Sequence, residues 1–221
     1  MAVFHIVVDL ELFGHLPPGT SQQGLWPWFA RAVAGTFLFL SGISLWLAHG
    51  GGLRWRPFLR RLGVLIVAAS GITLVTWLAM PDRFIFFGIL HAIAAASVAG
   101  LAVLRLSSAT ILTIAALVLT APLVLSGGVF DAPALLWLGL SEWRPASMDF
   151  VPVFPWLAPC LAGVVAARWA EEVGLLTRLP DQTPMTALAR HAAWPGRHSL
   201  AVYLVHQPVL LALIWAFGAA L

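Results

Sequence analysis

Long apolar stretches separated by short polar segments are the feature that most constrains this chain. Of its 221 residues, 61% are hydrophobic and only 10% are Asp, Glu, Lys or Arg, whereas a soluble globular domain carries about 25% charged residues. So little charge cannot cover a surface that faces water, and lipid is therefore the expected solvent. A helix crosses a bilayer core with about 20 apolar residues, which leaves room for about seven spans. We predict an all-α fold, a polytopic membrane helix bundle that forms a single domain over residues 1–221.

The polar segments that contain proline and glycine bound the predicted spans. The first apolar segment, residues 1–13, is too short to cross a bilayer, so either it is half-inserted or the chain begins inside a longer, truncated helix. Gly35 and Gly42 in the second span have a spacing typical of close helix packing. The other spans are expected at about residues 29–48, 62–80, 84–104, 109–125, 154–169 and 199–221.

The basic residues predict the orientation of the chain. All twelve are arginine, and cytoplasmic loops of membrane proteins are rich in arginine and lysine. If residues 49–61 are cytoplasmic, alternation of the loops leaves only Arg31, Arg83 and Arg144 outside. We therefore expect a multi-pass protein of the inner membrane with its N-terminus inside and its C-terminus outside. The arginine excess indicates orientation, and no nucleic-acid binding is expected.

Ionisable residues inside apolar stretches are the candidates for chemistry, because a charge at the bilayer centre costs roughly 2.5–3.5 kcal/mol on insertion scales. His5 and Asp9 are four residues apart and share one helical face. A carboxylate beside an imidazole fixes its tautomer and stabilises its protonated form, as a general base requires. The alternative is a polar pair that only anchors helix packing.

Two further histidines lie inside predicted spans. His91 follows Gly88 by one turn, at a point where a ligand or another helix could approach; the alternative is a histidine bonded to a nearby carbonyl group. Near the C-terminus, Tyr203 and His206 share one helical face, and Pro208 kinks the helix beside them. This combination indicates either a cavity lining or a hydrogen-bonded cluster between helices.

Three more candidates are expected near the membrane surface. Arg31 either extends to the interface or pairs with Asp9 or Glu11. Asp149 is a candidate acidic site residue on the outer side of the membrane; the alternative is a loop carboxylate that is only solvated. Arg197 precedes the last helix, whose N-terminus could receive a phosphate together with it; the alternative is an ordinary basic flank.

The same histidines raise the question of haem and metal binding. A haem with two histidine ligands needs them at matching depth on facing helices, and we expect His91 in the outer half of the bilayer and His206 in the inner half. No single helix carries two histidines at metal-ligand spacing. We therefore expect neither a metal nor a haem.

Several stretches, taken in order, resemble one family. They are MAVFHIVVDL at the start of the chain, GTFLFLSG from Gly35, GILHAI from Gly88, PWL from Pro155 and GRHSLAVYLVHQP from Gly196. Over nearly the whole chain they resemble the heparan-alpha-glucosaminide N-acetyltransferase catalytic-domain family. The resemblance implies a transmembrane acyltransferase, similar to membrane enzymes that transfer acyl groups from acyl-CoA to extracytoplasmic sugars. In that wider group an arginine precedes an essential histidine on the first helix; His5 matches the histidine, and no residue matches the arginine.

The leading hypothesis is therefore transfer of an acetyl or other acyl group from cytoplasmic acetyl-CoA to a hydroxyl or amine of an extracytoplasmic glycan. His5 would be the catalytic base, oriented by Asp9. The residues predicted to bind substrate are His91, Tyr203, His206, Arg31 and Asp149, and those predicted to hold the CoA phosphates are Arg54, Arg60 and Arg197.

Two rival hypotheses use the same residues. A proton-coupled transporter of a small metabolite would use the histidines as a relay and would need a pH gradient but no CoA. A non-catalytic membrane subunit would bind haem or another membrane protein. Apart from the lipid bilayer, the partners expected under the leading hypothesis are acyl-CoA and a glycan acceptor, and association into a homodimer is left open.

Overall fold

The computed structural model describes residues 1–176, 191, 193–194 and 196–218. Within these ranges the regular secondary structure is helical, and one isolated bridge joins Phe87 to Phe150. The all-α prediction is therefore confirmed. The α-helices described are α1 (Ala2–Leu12), α2 (Trp26–His49), α3 (Trp55–Ala79), α4 (Ile89–Val103), α5 (Ser108–Val124), α6 (Val153–Glu172) and α7 (Ser199–Gly218).

Four of the described helices, α2, α3, α6 and α7, are long and apolar enough to cross a membrane. The apolar helices α4 and α5 have 15 and 17 residues. At 1.5 Å per residue they reach roughly 22 and 26 Å, less than the ~30 Å hydrocarbon core. The protein is thus an all-helical membrane protein, and the predicted count of about seven spans is not confirmed.

The chain divides into two compact units. Unit 1 contains Met1–Val33 and Arg178–Leu221, and unit 2 contains Ala34–Thr177. In unit 1, α1 packs against α7; in unit 2, α5 packs along α6, and α4 contacts both α3 and α6. The single domain over residues 1–221 stays a prediction.

In unit 2, α2 and α6 cross with their backbones in contact. A Cβ atom on Gly42 would overlap the carbonyl group of Cys160, and one on Gly163 would overlap the carbonyl group of Phe39. Helices in membranes approach this closely only where small residues meet. Leu45 of α2 belongs to the same cluster of buried apolar side chains as Leu161 and Val164 of α6 and Ile111 of α5.

Helix α3 begins earlier than the arginines of residues 49–61 suggested. Arg54 is its N-cap residue, and Arg56, Arg60 and Arg61 lie within the helix, where the sequence predicted a loop. Cations at a helix N-terminus oppose the helix dipole. Arginine is nevertheless a good helix former, and the helix includes these residues.

Candidate active site

Two histidines face each other across α1 and α7 in unit 1. The ring centroids of His5 and His206 are 4.9 Å apart, and their planes meet at 64°. The ring of Tyr203, one turn earlier on α7, lies 5.6 Å from that of His206. The sequence placed Tyr203 and His206 on one helical face and His5 on a separate helix, and the structure brings all three together.

A backbone carbonyl group sets the tautomer of His206. Its Nδ1 atom is hydrogen-bonded to the carbonyl oxygen of Tyr203, and because a carbonyl oxygen only accepts, Nδ1 carries the hydrogen. In the neutral ring Nε2 is then an acceptor. This atom is buried and has no hydrogen-bond partner within the described part of the chain. The neutral His206 ring therefore holds a buried lone pair that no described residue uses.

Asp9 makes no hydrogen bond with His5, although their spacing places both on one helical face; that Asp9 orients His5 stays a prediction. The Asp9 side chain is 0% exposed, and its Oδ1 atom accepts a 2.6 Å hydrogen bond from Nε2 of Gln207 on α7. Spacing along α1 places Asp9 and His5 on one face, but α7 supplies a nearer donor. Sequence reasoning missed Gln207, although an amide inside an apolar span is itself a sign of a buried polar partner.

Asp149 and His91 lie in unit 2, where both bind the N-terminus of α4. The N-cap residue of this helix, Gly88, has no side chain to accept the first free N–H groups. Asp149 Oδ2 accepts from the Ile89 amide at 2.8 Å, and His91 Nδ1 accepts from the Gly88 amide at 3.3 Å. The sequence predicted that this helix begins near residue 84. These bonds explain why α4 begins instead at Ile89.

The second ring nitrogen of His91 is also used by the protein. The Thr73 hydroxyl donates to the carbonyl oxygen of Ile85 at 2.7 Å and lies 3.3 Å from His91 Nε2. Because a hydroxyl has one hydrogen, Nε2 must be the donor in the second bond. These contacts give His91 a structural role. Its substrate-binding role stays a prediction, supported by a cavity of about 410 Å³ that His91 lines with Trp77 and Phe84.

Burial changes the acidity of Asp149. Loss of solvation raises its pKa from 3.8 to about 6, and the hydrogen bond from Ile89 opposes this shift only in part. The folded state therefore binds the proton more tightly than the unfolded state does. Protonation of Asp149 therefore stabilises the folded state fully below pH 4. This contribution declines as the pH rises from 4 to about 6 and is absent at higher pH, where the ionised carboxylate lowers the stability by a constant amount.

Replacing Asp149 by asparagine should remove this cost while keeping an oxygen that caps α4. At pH 8 we expect Asp149→Asn to melt at or above the wild-type temperature in detergent, and the difference to shrink at pH 5. Asp149→Ala, which lacks the cap, should be less stable than Asp149→Asn by about 1 kcal/mol. If Asp149→Asn is the less stable of the two variants, the capping role is wrong.

Arg31 does not pair with either carboxylate suggested from the sequence. Its guanidinium group lies 5.1 Å from the ring centroid of Trp28. The Glu11 carboxylate accepts instead from the backbone N–H groups of Gly19 and Ser21. Substrate binding by Arg31 stays a prediction.

The arginines predicted to hold CoA phosphates lie in different settings. Arg54 donates from its backbone N–H to His49 Nδ1 at 3.3 Å and from Nε to the carbonyl oxygen of Ala48 at 3.2 Å. Arg60 is exposed on α3, and Arg197 is exposed just before α7 in unit 1. Their role in phosphate binding stays a prediction.

A cavity of about 770 Å³ in unit 2 was missed by the sequence reasoning. It is lined by the loop residues 50–52, Arg105 and Arg168 at the C-terminal ends of α2, α4 and α6. The Arg168 guanidinium group donates to the carbonyl oxygens of Leu104 and Leu106 at 2.6 and 2.7 Å, so it serves α4 as a C-cap. The cavity is also lined by Ser107, the N-cap residue of α5, and by the carboxylates of Glu171 and Glu172.

Among the residues that the structure describes, no group of three His, Cys, Asp or Glu side chains is placed to hold a metal ion. In unit 1 the histidine pair lies beside the buried Asp9–Gln207 hydrogen bond. Imidazole groups are suited to moving protons.

Long apolar helices and a polar site with two imidazoles define this protein as a polytopic membrane protein with a candidate active site in unit 1. The sequence profile of the family described as "Heparan-alpha-glucosaminide N-acetyltransferase, catalytic" matches residues 1–208. The chain belongs to this family and is a membrane transferase of the acyltransferase kind. The match includes both His5 and His206 and confirms the resemblance noted in the sequence. Neither the curated proteins nor the solved structures yield a match to this chain.

Proposed function

We propose that this protein transfers an acetyl or other acyl group from cytoplasmic acyl-CoA to an amine or hydroxyl group of an extracytoplasmic sugar or glycan. The observation that carries the proposal is the pairing of His5 and His206, whose ring centroids are 4.9 Å apart, inside the segment matched by the family. Acyl transfer needs a group that removes the acceptor's proton near neutral pH, and imidazole is the side chain best suited to it.

In the proposed reaction, the acceptor nitrogen or oxygen attacks the thioester carbonyl carbon while His5 removes its proton. The new carbon–nitrogen or carbon–oxygen bond forms, and the carbon–sulfur bond breaks. CoA leaves as a thiolate and takes up the proton from the His5 imidazolium, which restores the neutral ring. The lone pair on His206 Nε2 is available to accept a hydrogen bond from the acceptor and so to orient it.

The proposal keeps the donor on the cytoplasmic side, with the N-terminus inside and the C-terminus outside the inner membrane. This orientation follows from the arginine distribution. Arg54, Arg60 and Arg197 would bind the CoA phosphates. Tyr203, which lies beside His206 on α7, would contact the acceptor.

The proposal is tested by measuring CoA release from acetyl-CoA by the protein purified in detergent, with and without an amino sugar such as glucosamine. We expect release that depends on the acceptor, together with an acetylated product detected by mass spectrometry. The His5→Ala variant should lose this activity. Its matched control is His15→Ala, which removes an exposed histidine of the loop after α1. A lack of acetyl-CoA turnover, combined with CoA-independent solute uptake driven by a pH gradient in vesicles, would replace the proposal with transport.

A further inference from the structure

Three buried side-chain atoms in unit 1 have no hydrogen-bond partner within the described part of the chain. They are Oδ2 of Asp9, Nε2 of His206 and Oε1 of Gln207. With an ionised Asp9 and a neutral His206, all three atoms are acceptors. A buried acceptor without a donor is costly, and a buried charge without a partner is more so. This cluster therefore lacks hydrogens and has acceptors in excess.

Asp9 and Gln207 are already joined by the 2.6 Å bond from Nε2 to Oδ1. In this arrangement the Gln207 amide is the donor and the Asp9 carboxyl group is the acceptor. The two unpaired oxygens belong to the same two planar groups. One hydrogen shared between them would complete a ring of two antiparallel hydrogen bonds, the pairing of a carboxylic acid with an amide.

Among the residues that the structure describes, the nearby charged groups do not supply the missing partner. The Arg31 guanidinium group, also in unit 1, lies over the ring of Trp28. The other titratable side chains on α1 and α7 are His5, Glu11, Tyr203 and His206. Glu11 is an acid bonded to backbone amides, and the hydrogen bond of His206 goes to a backbone carbonyl group. The hydrogen-bond partner of Asp9 is a neutral amide.

We propose that Asp9 is a neutral carboxylic acid whose Oδ2–H donates to Oε1 of Gln207, and that this acid–amide pair locks α1 to α7 so that His5 stays opposite His206. One proton satisfies two of the three unpaired atoms and removes an isolated buried charge. Asp9 is thus a positioning residue. The functional part of this inference rests on the acyl transfer proposed above; the protonation state does not.

The test is a series of variants at Asp9. In Asp9→Asn the amide can donate to Oε1 of Gln207 and accept from its Nε2, so both bonds of the pair remain. We expect this variant to keep its melting temperature and its pH profile, with CoA release within about threefold of wild type. Asp9→Ala and Gln207→Ala should lower both the melting temperature and the rate. If Asp9 were an ionised partner of a catalytic histidine, Asp9→Asn would lose about 10⁴-fold in rate, and our proposal would be overturned.

Infrared spectroscopy tests the proton directly and needs no turnover. The spectrum should be recorded in an Asp149→Asn background, because burial raises the pKa of Asp149 and its protonated form would add a band of its own. We expect the carbonyl stretch of a protonated carboxyl group at pH 7, and its loss when Asp9→Asn is added. Absence of that band overturns the proposal. If the band and the variant stabilities behave as expected but acetyl-CoA is not turned over, the acyl-transfer proposal fails and the acid–amide pair stands.

Discussion

Replacing His5 by alanine is expected to lower acyl transfer by at least about 100-fold, the usual contribution of a positioned general base. The melting temperature should change little, because the ring contacts of His5 are those with Phe4 and His206. The loss should appear in kcat and not in the KM for acyl-CoA, since the donor phosphates are proposed to bind elsewhere. Initial rates of CoA release over a range of donor concentrations measure both quantities.

The His15→Ala variant should retain the wild-type rate, which shows that loss of a histidine near α1 is not harmful in itself. The double variant His5→Ala with His206→Ala gives a second check. If the two imidazoles act as one unit, the double variant should lose no more than the more damaging single change. An active His5→Ala variant would contradict the assignment of His5 as the base.

Replacing Gly42 by alanine is expected to disrupt the fold of unit 2 severely. The new Cβ atom would overlap the carbonyl group of Cys160 on α6, and Gly163→Ala would overlap Phe39 on α2 in the same way. Rigid backbone, and not a flexible side chain, meets the added atom in both cases. Overpacking of a tight core costs typically 1–3 kcal/mol, and more where the neighbour cannot move.

The controls for this prediction are Gly63→Ala and Gly71→Ala in α3, where an added Cβ meets no atom within 4 Å. Because alanine is the better helix former, these variants should be as stable as the wild type or slightly more so. Melting temperature and the yield of monodisperse protein in gel filtration give the comparison. If Gly42→Ala is as stable as Gly63→Ala, the backbones of α2 and α6 are not in contact at Gly42, and the described packing is wrong.

The sequence predicted the class of the fold better than its details. Apolar stretches predicted helices in lipid, and the helices were found, but two boundaries were wrong for local reasons. The N-terminus of α4 is set by Asp149, 60 residues away from Ile89 in the chain, which no pattern around residue 84 reveals. The N-terminus of α3 includes arginines that we expected in a loop.

The sequence identified most residues of the candidate site but not the contacts between them. His5, Asp9 and His206 were found because polar groups inside apolar stretches are costly and therefore conspicuous. The hydrogen-bond partner of Asp9 was missed, since spacing along one helix gives neighbours on that helix only. Gln207 is 198 residues away, and only the packing of α7 on α1 brings it to Asp9.

Composition and the local sequence pattern were enough to predict a lipid solvent, a helical fold and the ionisable side chains inside apolar stretches. Each of these depends on residues that are close together in the chain. Which side chains meet became known only from the packed helices: Gln207 with Asp9, Asp149 with the N-terminus of α4, and Gly163 with α2. The physical reason lies in the solvent. Lipid is as apolar as a protein core, so a membrane helix has little contrast between its faces, and its rotation and its partners are settled by close packing and hydrogen bonds between residues far apart in the chain.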